Sequence, residues 1–203
     1  MLFRCSAVGN LMSEPKLVAD KKAGKLSKTA ESYLNQFIFE YKYGRRQNFS
    51  TKATQKGTQT EDDGIHVLNM VMKTRYKKNE TRFNGDYLTG EPDIVAKDMI
   101  IDIKSNFLAS TFLTKDSIDN VYKWQLAGYC VLCEKKKGAI AYTLNNTPLD
   151  IIKSEITATY YKNGLVDLTD EDKAKIALNH IYTDKHIVDG NYVNGFWDYA
   201  KDY

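Results

Sequence analysis

The order of the hydrophobic patterns along the chain constrains its fold more than any other feature of the sequence. Helical spacing over 27–43 and 56–75 comes before three short strand-like runs. These runs lie at about 82–88, 93–96 and 99–105, and a helix over 118–133 and a strand over 138–144 follow them. Helices and strands in this order are typical of helices packed against a sheet of mixed direction. The sequence therefore predicts an α/β fold with a mixed central β-sheet flanked by helices.

Two regions lie outside this central pattern. Residues 6–13 have helical spacing, with Ser6 as the expected N-cap of a short helix. Two more helices are predicted towards the C-terminus, over 150–161 and 170–181. Because domains contain about 150 residues, the 203 residues predict a single domain over 1–203. We expect its core at about 27–145 and a helical C-terminal extension over 149–203.

Composition excludes several classes of protein. Hydrophobic residues make up 42% and charged residues 27% of the chain, which excludes disordered, collagen-like and coiled-coil proteins. No apolar run approaches the roughly 20 residues that a membrane span needs, and the N-terminus lacks the apolar stretch of a secretory signal. Three cysteines cannot form a closed set of disulfides. We therefore expect a soluble cytoplasmic protein without a membrane partner.

Charge is distributed unevenly along the chain. Residues 1–82 carry 16 lysines and arginines against 8 aspartates and glutamates, whereas the remaining residues carry 13 against 18. A basic part next to an acidic part favours an anionic partner such as nucleic acid. Lysines scattered over the surface for solubility are the alternative interpretation.

The segment 90–104 carries the residues with the most informative chemistry. If this segment is a hairpin that turns at residues 97–98, Asp93 lies opposite Asp102 on the same face of the sheet. Strand alternation places Lys104 on that face as well. Two facing carboxylates repel each other, and a divalent cation between them would offset the repulsion better than Lys104 alone. The alternative is that Asp93 caps a turn while Asp102 and Lys104 form a charge pair on an edge strand.

Glu61 lies on an apolar helical face. It precedes Ile65 by four residues and Met72 by eleven, so all three share one side of the helix predicted over 56–75. An acid on an inward face is costly unless it is paired or bound to a metal. A first-turn acid that the helix dipole favours is the alternative.

Gln125 and Tyr129 are one turn apart on the apolar side of the helix predicted over 118–133. Such a polar pair can orient a ligand, or it can satisfy a backbone group. The adjacent Gly128 is expected to permit a close approach to a sheet.

Four short motifs, taken in order, resemble those of the PD-(D/E)XK nuclease superfamily. They are Gly57-x-x-x-Glu61, Glu91-Pro92-Asp93, Asp102-Ile103-Lys104 and Gln125-x-x-x-Tyr129. Within the superfamily, the pattern is similar to the phage exonucleases related to lambda exonuclease and to the YqaJ-type recombinases, over about residues 5–145. The resemblance implies a restriction-endonuclease-like core and metal-dependent hydrolysis of phosphodiester bonds in linear double-stranded DNA, in phage-type recombination or end processing. An endonuclease with the same site and a catalytically silent nucleic-acid-binding module are the alternatives.

The resemblance also implies a metal site. Asp93 and Asp102 would hold Mg²⁺ or Mn²⁺, with Glu61 as a further ligand, directly or through water. The backbone carbonyl of Ile103 is an additional candidate ligand. Hard oxygen donors of this kind suit Mg²⁺.

The catalytic and DNA-contacting roles follow from the same resemblance. Lys104 would position the attacking water and stabilise the charge that develops on the phosphate. Gln125 and Tyr129 match a motif that lies near the site and the DNA in this branch.

Ser6 corresponds to a serine that grips the terminal 5′-phosphate in related exonucleases, where an arginine upstream assists it. Arg4 is too close to Ser6 to be that arginine, so we expect Lys28, Arg45 or Arg46 to take its place.

Partners and location are likewise implied by the family. Exonucleases of this type act in a bacterial or phage-infected cell, usually beside a single-strand annealing protein, and lambda-type enzymes form ring-shaped trimers. The aromatic C-terminal segment 192–203 is therefore expected either to pack on the core or to form a subunit contact.

Overall fold

A computed structural model of the chain describes residues 2–46 and 50–182, and the backbone of 187–188 and 191–192. In these residues the helices are α1 (Cys5–Leu11), α2 (Val18–Lys22), α3 (Lys28–Tyr43), α4 (Lys52–Gln59), α5 (Glu61–Met72), α6 (Ala109–Leu113), α7 (Asn120–Leu132), α8 (Leu149–Lys162) and α9 (Asp170–Leu178). The strands are β1 (Phe3–Arg4), β2 (Phe83–Asn84), β3 (Leu88–Gly90), β4 (Ile94–Val95), β5 (Met99–Ser105), β6 (Lys137–Thr143), β7 (Ile187–Val188) and β8 (Asn191–Tyr192).

Six of these strands form two three-stranded sheets. In the sheet of order β1-β3-β2, β1 runs parallel and β2 antiparallel to β3. In the sheet of order β4-β5-β6, β4 is antiparallel to β5. The last two strands, β7 and β8, form a separate antiparallel pair. The predicted α/β class with mixed strand directions is confirmed, with the strands divided between two sheets.

β4 and β5 form the hairpin that the sequence predicts. Val95 lies opposite Ile100, and residues 97–98 make the turn. The same register, continued by two pairs, places Asp93 opposite Asp102. The short turn at residues 97–98 fixes this register, because the length of a hairpin's turn determines which residues lie opposite each other.

The chain divides into two compact units. The first unit comprises Met1–Phe49, Lys78–Asp102 and Ser117–Ile140, and the second unit comprises Ser50–Lys77, Ile103–Asp116 and Ala141–Tyr203. β5 thus begins in the first unit and ends in the second. A single domain over the whole chain stays a prediction.

The core of the first unit lies between α1, α7 and β5. Its buried residues are Cys5, Ile100, Leu126 and Tyr129. α1 and α7 touch at Gly128, where an added Cβ would lie 2.9 Å from the Cys5 Sγ. The sequence predicts a close approach to a sheet at Gly128. In the structure, the close approach is to another helix, α1.

The second unit has its own apolar core. Its buried aliphatic residues are Ile65, Ile103, Leu144, Ile151, Ile152 and Ala177. α5 packs directly on the end of β5, because a Cβ added at Gly64 would lie 2.6 Å from the Ile103 Cγ2.

α3 has the bounds that the sequence predicts. Its N-cap, Ser27, accepts a hydrogen bond from the Ala30 backbone N–H at 3.0 Å. The helix ends at Gly44, whose φ of 61° lies in the left-handed region that glycine adopts without strain.

The continuous helix predicted over 56–75 is wrong. It is two helices, α4 and α5, which meet at Thr60, where φ is −109° and ψ is 15°. The break places Glu61 in the first turn of α5 with two more acids, which the helix dipole favours there. Met72, expected on the inward face, is 62% exposed.

Shorter elements also differ from the predictions. β1 runs directly into α1, so Arg4 occupies the N-cap, and its side chain makes no capping hydrogen bond to the helix. Ser6 lies inside the first turn, and its predicted capping role is wrong. The single strand expected over 82–88 is the two strands β2 and β3, because the Gly85 N–H donates to the Leu88 carbonyl and closes a turn between them. β1, α2 and α6 were not predicted.

Candidate active site

Asp102 is a carboxylate buried in the middle of β5. It is 1% exposed, between Ile101 at 4% and Ile103 at 7%. The Nε2 of Gln125 donates a hydrogen bond to its Oδ1 at 3.2 Å. Burial of a carboxylate is costly unless hydrogen bonds or a cation compensate for the lost water. The buried carboxylate of Asp102 therefore needs polar partners from the protein in place of water.

α7 supplies the partner of this carboxylate. Gln125 and Tyr129 lie one turn apart on the inward side of α7, 5% and 4% exposed. Besides its bond to Asp102, the Gln125 amide donates to the Tyr129 hydroxyl at 3.1 Å. The partner of this polar pair is thus the acidic side chain of Asp102 in β5, and a role of the pair in orienting a ligand stays a prediction.

Tyr129 responds to the charge of both aspartates. Burial raises the pKa of Tyr129 most, the Gln125 hydrogen bond lowers it, and the negative charges of Asp102 and Asp93 raise it further. The phenol therefore keeps its proton at neutral pH. Because both carboxylates act on the same ring, the region around Tyr129 concentrates negative charge.

Asp93 comes just before β4, half-buried and opposite Asp102 in the hairpin register. Asn79 anchors this segment: its backbone N–H donates to the Asp93 carbonyl at 2.7 Å, and its Nδ2 donates to the Pro92 carbonyl at 2.9 Å. Sequence reasoning missed Asn79, because no pattern around it distinguishes it from a surface asparagine.

Glu61 and Lys104 belong to the second unit, and both are half-buried. Their sequence neighbours are joined, since the Thr60 hydroxyl lies 3.0 Å from the Ser105 hydroxyl. The Nδ2 of Asn145 donates to the Thr60 carbonyl at 3.1 Å. The start of α5 and the end of β5 are thus fixed to each other by residues that the motifs do not include.

The donor set fits a divalent cation in part. The first unit offers two facing carboxylates, Asp93 and Asp102, whose hard oxygens suit Mg²⁺ and whose mutual repulsion a cation would offset. Over residues 2–46 and 50–182, no group of three or more His, Cys, Asp and Glu side chains is gathered around one point. Glu61 and the Ile103 carbonyl lie in the second unit, so their part in metal binding stays a prediction.

All five side chains expected to contact DNA belong to the first unit. Four of them are exposed, whereas Tyr129 is buried in the core, so the structure does not place its side chain at the surface. Lys28 is the first residue of α3, and Arg45 and Arg46 follow its C-cap. Ser6 is exposed in the first turn of α1. Arg4 is engaged elsewhere, because its Nη2 pairs with the Glu40 carboxylate at 3.3 Å.

The structure bears only in part on the expectations for the aromatic C-terminal segment and for membrane spans. Residues 193–203, the larger part of the aromatic C-terminal segment, lie outside the described residues. None of the helices that the structure describes is both long and apolar enough to cross a membrane.

Several solved structures are similar to the chain. A phage-related exonuclease from Haemophilus somnus 129PT is 30% identical, with a TM-score of 0.63 over 74% of this chain and 71% of that one. An alkaline exonuclease from Laribacter hongkongensis is 14% identical, with a TM-score of 0.56 over 87% and 90% of the two chains. Its complex with dAMP is 17% identical, with a TM-score of 0.54 over 74% and 73%.

These likenesses differ in what they establish. At their low identities, the Laribacter structures show a shared fold, whereas the Haemophilus protein is also similar in sequence. No protein-family model matches the chain, and no curated protein matches it.

Proposed function

This chain belongs to the PD-(D/E)XK nuclease superfamily, with the phage-related exonucleases, and we propose that it is a metal-dependent exonuclease that hydrolyses phosphodiester bonds of linear double-stranded DNA. The observation that carries the proposal is the buried Asp102, which Gln125 holds and Asp93 faces. A buried, oriented carboxylate opposite a second one is costly for folding, and the cost is understandable if the pair binds a cation.

The proposed ligands of Mg²⁺ or Mn²⁺ are Asp93 and Asp102, with Glu61 and the Ile103 carbonyl completing the set. When bound, such a cation lowers the pKa of a coordinated water and neutralises charge that develops on the phosphate.

The side chains around the carboxylates have separate roles in the proposal. Gln125 donates to one oxygen of Asp102 and so fixes the plane of this carboxylate. Lys104 lies two residues further along β5, on the same strand face as Asp102. Its ammonium would orient the attacking water and donate hydrogen bonds to the phosphate oxygens as their negative charge grows.

The exposed basic residues of the first unit support DNA as the substrate. Lys28, Arg45 and Arg46 can each neutralise a backbone phosphate, which is the main source of affinity for DNA. We propose that the enzyme processes DNA ends in phage-type recombination, beside a single-strand annealing protein.

Cleavage of two DNA topologies tests the function. Linear and covalently closed circular duplex DNA are incubated with the protein in Mg²⁺, in Mn²⁺ or in EDTA. The proposal predicts that only the linear DNA is degraded and that EDTA stops the reaction. Lys104→Ala is expected to abolish cleavage, whereas Lys97→Ala, at the exposed turn of the same hairpin, retains it.

The other outcomes identify the alternatives. Cutting of the circle would replace the exonuclease with an endonuclease that uses the same site. No cleavage of either DNA, together with DNA binding that does not depend on metal, would indicate a binding module. Full activity of Lys104→Ala would remove the proposed mechanism.

A further inference from the structure

The junction between α4 and α5 lies against the end of β5 within the second unit. Thr60 forms this junction and is 2% exposed. Its hydroxyl donates to the Lys56 carbonyl at 2.9 Å and is also hydrogen-bonded to the Ser105 hydroxyl, at 3.0 Å. The second of these bonds joins residues 45 positions apart, so it is a tertiary contact between a helix and a strand.

Each partner of the Thr60–Ser105 bond is next in the chain to a residue of the proposed catalytic site. Glu61 follows Thr60 as the first residue of α5, and Lys104 precedes Ser105 in β5. Because side chains alternate along a strand, Ser105 lies on the face of β5 opposite Lys104. The bond therefore holds the strand from the side away from Lys104 and leaves the Lys104 face of the strand open.

The backbone of Thr60 is held as well as its side chain. Its carbonyl accepts hydrogen bonds from the Gly64 N–H at 2.9 Å and from the Asn145 Nδ2 at 3.1 Å. Gly64 allows α5 to lie close to β5, because a Cβ at this position would be 2.6 Å from the Ile103 Cγ2. With its hydroxyl and its carbonyl both bonded to other segments, Thr60 fixes the first turn of α5 relative to the end of β5.

We propose that Thr60 is a positioning residue, whose hydrogen bond to Ser105 sets the position of Glu61 relative to Lys104. The proposal rests on the proposed function, because it assigns the alignment of two residues of the same site. It gives Thr60 no contact with DNA or with the metal. Since a misplacement of about 1 Å can cost about a hundredfold in rate, loss of the bond is expected to slow cleavage without weakening DNA binding.

Thr60→Val tests the hydroxyl. Valine keeps the branched shape of the side chain, and the backbone N–H of this residue still donates to the Lys56 carbonyl, so the fold is expected to remain intact. We expect kcat for cleavage of linear duplex DNA in Mg²⁺ to fall by about 10–100-fold with an unchanged KM. The affinity for the same DNA in EDTA and the circular dichroism spectrum should equal those of the wild type.

Two further variants separate the Ser105 contact from other effects of the substitution. Thr58→Val is the matched control, because the Thr58 hydroxyl likewise donates to a carbonyl four residues earlier, that of Thr54, at 3.1 Å. Thr58 is exposed and, in the part of the chain that the structure describes, is not bonded to another element, so its variant should keep the wild-type kcat. Thr60→Ser keeps the hydroxyl and should retain most of the rate. A Thr60→Ser variant as slow as Thr60→Val would overturn the hydroxyl bond as the positioning contact.

A double-mutant cycle tests whether the two hydroxyls act together. Ser105→Ala removes the other partner and leaves the Thr60 hydroxyl bonded to the Lys56 carbonyl. If the bond between the hydroxyls positions the site, each single variant and the double variant should lose kcat by a similar factor. Losses that multiply in the double variant would show that the two residues act independently, and the proposal would be overturned.

A measurement without DNA separates positioning from general stability. Thermal midpoints of the wild type and of Thr60→Val are recorded over a range of Mg²⁺ concentrations. Because Glu61 is a proposed ligand, we expect the Mg²⁺ concentration that gives half of the rise in midpoint to increase by about 10–100-fold in the variant. An unchanged concentration would mean that Thr60 does not position Glu61.

The remaining outcomes separate this proposal from the proposed function. If the wild type cleaves DNA and Thr60→Val cleaves it at the same rate, only the positioning role of Thr60 fails. If Thr60→Val loses its circular dichroism spectrum together with its activity, the residue is needed for folding and the positioning role is overturned. If the wild type cleaves no DNA in Mg²⁺ or Mn²⁺, both proposals fail.

Discussion

Among the residues that the structure describes, each of the two compact units buries one lysine or acidic side chain, and the two are surrounded in different ways. In the first unit, Asp102 is 1% exposed and accepts a hydrogen bond from Gln125. In the second unit, Lys56 is 0% exposed, and its Nζ donates to the Phe107 carbonyl at 3.3 Å. The nitrogen also lies 5.0 Å from the centroid of the Tyr182 ring and 5.9 Å from that of Phe107.

The difference shows two ways in which a folded chain retains a buried charge. Asp102 faces a second carboxylate, Asp93, so its environment would become more favourable with a cation present. Lys56 has no carboxylate partner in the part of the chain that the structure describes, and one carbonyl and two aromatic rings replace its water only in part. Burial accordingly lowers the pKa of Lys56 to about 7. The first buried charge fits a function, and the second is a cost to stability.

The largest effect is expected at Asp102. Asp102→Asn keeps the shape of the side chain and an oxygen for Gln125, but it removes the charge that would hold the metal. Because loss of even an outer partner of a metal ligand costs 10–100-fold, we expect Mg²⁺-dependent cleavage of linear duplex DNA to fall by more than about a hundredfold. Asp98→Asn, at the exposed hairpin turn, is the control and retains activity. Retained cleavage by Asp102→Asn would make Asp102 a structural residue like Lys56.

Sequence patterns could locate Asp102 because local rules determine its surroundings. The short turn at 97–98 fixes the register that brings Asp93 opposite Asp102. The partner of Asp102 on α7 is harder to predict. The sequence identifies Gln125 as a polar residue on an apolar helix face, but its bond to Asp102 joins residues 23 positions apart, and no local pattern indicates it.

The surroundings of Lys56 could not be predicted in the same way. A lysine within an amphipathic pattern is expected at the surface, and the helical spacing over 56–75 continues through Thr60 without a signal for the break. Lys56 is buried by Phe107 and Tyr182, which come from distant parts of the chain. Such tertiary contacts leave no local pattern.

The second prediction concerns the stability cost of Lys56. Its folded pKa of about 7 lies below the ordinary value of 10.5, so the unfolded state binds the proton more tightly. The destabilisation is fully present below about pH 7 and is lost as the pH rises towards 10.5, by about 1.4 kcal/mol per pH unit. Lys56→Met removes this titration. We expect it to raise the free energy of unfolding by a few kcal/mol near pH 7 and by less at higher pH.

Denaturant unfolding between about pH 7.5 and 9.5 measures this difference. Other groups near Lys56 titrate outside the window, since burial lowers the pKa of His180 from 6.5 and raises the pKa of Tyr182 to about 12. Lys52→Met is the matched control, because Lys52 lies one turn earlier on α4 and pairs with Glu155 at 3.1 Å, partly exposed. Equal pH slopes for the wild type and Lys56→Met would show that Lys56 is not the origin of the dependence.

The third prediction separates the orientation of Asp102 from its charge. Gln125→Met keeps the volume of the side chain but removes the donor to Asp102. We expect the cleavage rate to fall by about 10–100-fold, less than for Asp102→Asn, because the carboxylate remains but is no longer held. Tyr129→Phe preserves the Gln125–Asp102 bond and is expected to lose less activity. A Tyr129→Phe variant as impaired as Gln125→Met would place the important bond between Gln125 and Tyr129.

The smallest effect, with the most specific sign, is expected at Asp93. Like charges directly opposite each other in an antiparallel pair destabilise it by about 0.2–1 kcal/mol, so Asp93→Asn should raise the thermal midpoint by about 1–3 °C in EDTA. In saturating Mg²⁺ the order should reverse, because an ion that binds only the folded wild type adds to its stability. Asp98→Asn, exposed at the turn of the same hairpin, should show no such reversal. A lower midpoint for Asp93→Asn in EDTA would mean that the two carboxylates do not repel each other, and the first buried charge would then need no cation to explain it.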